Sequence, residues 1–145
     1  MNADIYQSIP APGLWADVVL LIHAGIVLFA VLGQLLIMVG GPLGWRWVRG
    51  FWVRICHLLL VVYVAVQAWL GELCPLTVWE YELRRAAGQS PHERGFVEFW
   101  LGQLIYYDFP AWVFLLMYTG FALLVALTWW WLPPRWPRPP WPWRR

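Results

Sequence analysis

The chain has 145 residues, enough for one compact unit and too few for two ordinary domains. Hydrophobic residues make up 61% of it and charged residues 12%, where a soluble domain carries about 25% charge, so water is a poor solvent for much of its surface. A net charge of +2 is too small to point to nucleic acid, and the 14 Trp suit a membrane–water interface.

Residues 1–13 form an arm with one acid, Asp4, and no base. A first span is predicted at about 14–39. Its stretch 18–39 has no charged side chain, and 22 residues of helix reach about 33 Å, enough for a hydrocarbon core of roughly 30 Å. No base precedes it, so it does not read as a cleavable signal peptide. A second span is predicted at about 52–71. Residues 55–71 lie uncharged between Arg54 and Glu72, with Trp52 and Trp69 placed for the two interfaces and Arg54 able to snorkel. The third span is predicted at 109–132. Asp108 suits its N-cap, Pro110 its first turn, and Pro133-Pro134 its end.

Between the second and third spans lies an outer loop, 72–108. Thr77 with Glu80 three residues on reads as a capping box, which starts a helix at 78. Glu80 and Arg84 then form an i,i+4 pair in the better order, and Gly88 is placed to end that helix. Ser90-Pro91-His92-Glu93 repeats the box before a second short helix at about 91–106. That helix contains Glu98 and Gln103 and is too short to span, so it is expected to lie on the outer interface. Read as a fourth crossing, it would put the C-terminal arginines outside. Residues 133–145 form a Pro/Trp/Arg-rich tail, expected to run extended along anionic lipid at the inner leaflet.

The arginines orient the whole. Residues 40–54 carry Arg46, Arg49 and Arg54 and no acid; the tail carries four Arg and no acid; 72–108 has six acids against three Arg. Basic segments stay in the cytoplasm. The expected architecture is therefore an all-α membrane protein with three transmembrane helices (14–39, 52–71, 109–132) and one or two short interfacial helices in the outer loop. The N-terminus is expected outside and the C-terminus in the cytoplasm of a bacterium with this chain in its inner membrane.

At Cys74-Pro75-Leu76-Thr77, followed by Glu80, Leu83, Arg84 and Gly88, the sequence resembles the DUF2784 family of small bacterial membrane proteins of unknown function. Asp17, His23 and Gly33 in the first span and Gly95-Phe96-Val97-Glu98 extend the resemblance over roughly 14–132. Where the family pattern carries a His after that Glu, this chain has Phe99, so any role of that His is lost or moved. The resemblance implies the fold and supplies no activity.

Several polar groups are candidates for chemistry. His23 and Gln34 are eleven residues apart, about three turns, and share a face. At membrane depth each needs a partner, and an interhelical hydrogen bond is the simpler reading beside a ligand or proton carrier. Cys56, Tyr63, Gln67 and Cys74 recur at spacings of seven, four and seven, which is one stripe on an extended second helix and reads as a helix contact. On such a helix the two Cys are about 27 Å apart, too far for the roughly 7 Å a disulfide allows. His57 lies just off that stripe. Its depth differs from that of His23 by about 10 Å, which speaks against one haem held by both. His23, Cys74, Glu80 and His92, with Glu98 nearby, are Zn or Cu donors by type, but no CxxC, HExxH or paired-His spacing is present. No cofactor is predicted. The expected partners are the bilayer and either a second copy or another membrane protein, with no nucleic acid. With no catalytic motif, binding or self-association is read ahead of catalysis, and a redox or metal site near His23, Cys74 and Glu80 is the alternative.

Overall fold

The computed structural model describes residues 3–90, 96–105 and 109–136. Within these, helices run Ala3–Gln7 (α1), Pro12–Gly40 (α2), Phe51–Leu70 (α3), Pro75–Ala86 (α4), Phe96–Ile105 (α5) and Ala111–Trp131 (α6). No strand occurs among the described residues. The protein is all-α, and α2, α3 and α6 are long and apolar enough to cross a membrane. Only 11% of the apolar window of α2 and 17% of those of α3 and α6 is buried inside the chain, so the remaining side chains need lipid.

The 20 residues of α3 and 21 of α6 give about 30 Å each, matching the hydrocarbon thickness. The 29 residues of α2 reach about 43 Å, so this helix overshoots. Its excess first turns are flanked by α4, which lies along them as an amphipathic helix. Thr77, Glu80 and Leu83, on one face of α4, are buried there, and α2 offers Ala16 and His23. Further along α2 the buried residues are Gln34, Ile37 and Gly40; Gln34 bonds to α6, and the Ala30 carbonyl on the same helix accepts from His57 of α3. The principal contact of α3 is with α6, antiparallel: Arg54 reaches the end of α6, and Trp69 at the opposite end donates to Thr119 Oγ1 at 3.1 Å.

Both helices flanking the second loop stop in the same way. Gly71 (φ +70°) and Gly88 (φ +71°) take left-handed backbone where a Cβ is costly. The amides of Glu72 and Gln89 then bond back to Gln67 O and Arg84 O, the six-to-one bond that closes a helix end.

The structure corrects several sequence expectations. The N-terminal arm contains α1, which no periodicity announced. The first outer helix starts at Pro75 rather than 78, with Cys74 as N-cap, because proline's fixed φ presets the first turn. Thr77 is thus inside the helix and caps nothing. Pro110 is the N-cap of α6, and Asp108 lies outside the described residues. So do Pro91, His92 and Glu93 of the second predicted box and residues 137–145 of the tail. Cys74 belongs to α4, since α3 ends at Leu70, so the predicted stripe breaks before it. The rest of that stripe faces outward: Cys56 and Tyr63 are exposed, while the buried face of α3 is Arg54, His57 and Val61.

Candidate functional site

Two clusters of polar side chains are buried at opposite ends of the bundle. At the end where α3 begins, Arg54, His57 and Gln34 are the largest fully buried side chains among the described residues. Gln34 Nε2 donates to Thr128 Oγ1 (3.2 Å), and Thr128 in turn donates to Val125 O (2.8 Å). The Arg54 guanidinium donates to Thr128 O (2.8 Å) in the last turn of α6 and to O of Leu132 just past it (3.1 Å), and lies 5.5 Å from the centre of the Trp129 ring. A cation at a helix C-terminus answers its negative dipole end. His57 Nε2 bonds to Ala30 O at 2.8 Å. That approach depends on Gly33, where an added Cβ would stand 3.1 Å from the His57 ring. Apart from the bond of Thr128 to Val125 within α6, each bond here ties one span to another or to its end, so this cluster explains how three helices hold their register.

The second cluster lies between α2 and α4; like the first, which leaves Gln34 Oε1, Arg54 Nε and Trp129 Nε1 unpaired, it is only partly satisfied. His23 is 6% exposed, and Thr77 and Glu80 are 2% exposed. Glu80 Oε1 accepts from Arg84 Nε at 2.9 Å, and Arg84 also donates to Asp17 (3.1 Å) and Gln89 (3.0 Å). Burial weakens the basicity of Arg84, but the bonds and charges of Glu80 and Asp17 outweigh it and hold its pKa above the ordinary value. Arg84 thus pins α4 to α2. Three buried atoms beside it have no hydrogen-bond partner: His23 Nδ1, Thr77 Oγ1 and Glu80 Oε2. Glu80 is within electrostatic reach of His23, and Thr77 and Glu80 share one turn-spaced face of α4. The His23 ring lies against Phe96 of α5, with centroids 4.2 Å apart, which closes one side. Buried polar atoms are normally paired, so three orphans on two facing helices mark a place for a further hydrogen-bonding group.

The sequence-derived candidates separate between these places. His23, Asp17, Thr77, Glu80 and Arg84 come together, and Gln34 and His57 lie in the other cluster. Pro75 opens α4, and Cys74 and Glu98 are within electrostatic reach of Tyr118. His92 lies outside the described residues. Among the described residues no three His, Cys, Asp or Glu side chains are grouped to hold a metal ion. Both cysteines are free. His57 meets α2 at Ala30 and Gly33, seven to ten residues beyond His23, which is about 10–15 Å along the helix. The sequence marks Thr77 as a cap, whereas the structure buries its hydroxyl inside α4. The sequence also leaves Arg54 at the surface as a snorkelling side chain. The available signal was Thr128, the one polar residue near the end of the third span.

No curated protein and no solved structure matches the chain. A family model described as Protein of Unknown function (DUF2784) matches residues 13–134, a range that contains α3 to α6, all of α2 but its first residue, and both clusters. With most of its length matched, this three-span helical protein belongs to the DUF2784 family.

Proposed function

We propose that this protein is a membrane-embedded binding protein rather than an enzyme, and that it holds a small cationic, hydrogen-bond-donating ligand at His23, Thr77 and Glu80. The observation that carries the reading is the trio of unpaired buried atoms on α2 and α4. Glu80 Oε2, as a carboxylate oxygen, can only accept, so the missing group must donate or carry positive charge. Ammonium, a small primary amine or a metal ion has the right chemistry. A metal ion would take His23 Nδ1 and Glu80 Oε2 and would need further donors.

Isothermal titration of the detergent-purified chain with ammonium, methylammonium, Zn²⁺ and Cu⁺ tests this. One of these cations is expected to bind to the wild type at one per chain, with affinity lost at least tenfold in Glu80→Gln and His23→Ala. If none of them binds, or if both variants bind as the wild type does, the reading fails.

A second reading, assembly with another copy, is favoured by the outward face of α3. Tyr63 is 50% exposed, and Gln67 Nε2 donates to its hydroxyl at 3.1 Å, so a polar pair faces the lipid. Such a pair is better satisfied against another helix. Cys56 lies on the same face and would report it by forming a disulfide-linked dimer under oxidation in native membranes. A chain that stays monomeric there counts against assembly. The distribution of arginines supports placing the Arg54 end of the bundle at the cytoplasmic side of a bacterial inner membrane. Alkaline phosphatase and fluorescent-protein fusions after Arg145 test that placement, with fluorescence and no phosphatase activity expected.

A further inference from the structure

The end of the bundle around Arg54 carries more than its internal bonds require. Residues 41–50 and the chain after α6 are stitched into one surface. Arg135 N donates to Arg49 O at 2.7 Å, and the Arg49 side chain donates to Pro133 O at 3.3 Å. This stitching brings Arg46, Arg49, Arg54 and Arg135 to one end, in segments (41–54 and 128–136) that contain no Asp or Glu. Arg46 and Arg135 are exposed, and neither side chain makes a hydrogen bond or ion pair among the described residues. Beneath them, Arg54 Nε and Trp129 Nε1 are buried donors without an acceptor. Around them stand the exposed rings of Trp45, Trp47, Trp52, Trp130 and Trp136, with Trp45 stacked on Trp47 and Trp136 stacked on Phe51. Exposed Trp rings favour the headgroup level of a bilayer, the level at which arginines can meet lipid phosphates.

We infer that this arginine–tryptophan end is a binding site for the phosphate headgroup of an anionic phospholipid, with Arg46 and Arg135 as its outer contacts. A guanidinium matches phosphate with two parallel N–H donors, and an uncompensated group of them prefers an anionic to a zwitterionic headgroup. The tryptophans hold the acyl region beside the site, which favours a lipid over phosphate free in water.

The test uses the full chain in neutral detergent, titrated with short-chain phosphatidylglycerol, phosphatidylcholine of the same chain length, or inorganic phosphate. Bound lipid is counted by native mass spectrometry. Phosphatidylglycerol is expected to bind with a clear preference over phosphatidylcholine that falls as salt rises. Arg46→Gln and Arg135→Gln should each reduce the phosphatidylglycerol affinity about fivefold, and the double variant about twenty-five-fold. Because neither side chain is part of the described packing, the double variant should keep the wild-type unfolding midpoint in neutral detergent. Equal binding of the two lipids overturns the inference, as does a double variant that folds and retains the preference. Competition by inorganic phosphate at the same concentration as the lipid also overturns it, since the ligand would then be the free ion.

Discussion

Arg54 is the side chain on which the packing of α3 against α6 depends most directly, and its removal has a calculable consequence. Its two bonds to Thr128 O and Leu132 O come from a charged donor. Such bonds contribute about 1.5–3 kcal/mol each, roughly 3–6 kcal/mol together. Thr128 O keeps a second donor, the Leu132 amide at 2.9 Å, so its loss is softened. Releasing a guanidinium from a buried place recovers several kcal/mol of desolvation. Arg54→Met, which keeps the apolar stem beside Trp129, is therefore expected to lose about 2 kcal/mol, and Arg54→Lys about 1 kcal/mol, because the ammonium is more strongly hydrated and costs more to bury at the same two carbonyls. Unfolding titrations in mixed dodecyl sulfate micelles, followed by helical circular dichroism, measure the loss. Amide exchange at Leu132 locates it, since the end of α6 should fray in Arg54→Met. Wild-type stability and unchanged exchange in that variant would refute the account of Arg54 as the cap of α6.

Three further outcomes are expected from the same titration. Gly33→Leu should cost about 2–3 kcal/mol by overpacking, because a Cβ there already stands 3.1 Å from the His57 ring; Gly25→Leu, with nothing within 4 Å, should stay within about 0.5 kcal/mol of the wild type. Ala11→Gly should stabilise by about 1 kcal/mol, since Ala11 caps α2 in left-handed backbone at φ 53°; a loss instead would show that this backbone is not retained. Trp69→Phe should cost only about 0.6–1 kcal/mol, as the Thr119 hydroxyl it leaves still donates to Leu115 O at 2.7 Å; a loss of several kcal/mol would mean that Trp69 does more than bond Thr119.

The residues of the two clusters were legible to different degrees. His23, Gln34, Glu80 and Arg84 stood out because a polar or paired residue in an apolar or amphipathic stretch is conspicuous by itself. Thr77 and Arg54 did not stand out, for a shared reason. Each sits near a helix end, where capping and snorkelling offer a sufficient local explanation, and only the neighbouring helix shows that the side chain is buried. The stripe on α3 was legible as a shared face but not in its direction. Its spacing is regular, but regular spacing says that residues share a face and not which way the face points. In lipid the hydrophobic contrast that orients a soluble helix is absent, so Cys56 and Tyr63 can face outward while Arg54 and His57 face in.

What the sequence determined alone was the number, length and boundaries of the spans to within a few residues, and the helix stop at Gly88. These depend on transfer free energy and on local backbone sterics, both readable one segment at a time. What only the tertiary structure decided was which helices pair: α4 along the overshooting start of α2, α3 along α6, and the loop before α3 against the chain after α6. Those choices are set by bonds between side chains and carbonyls far apart in the chain, such as Arg84 with Asp17 and Arg54 with Leu132, and no local pattern encodes the partner.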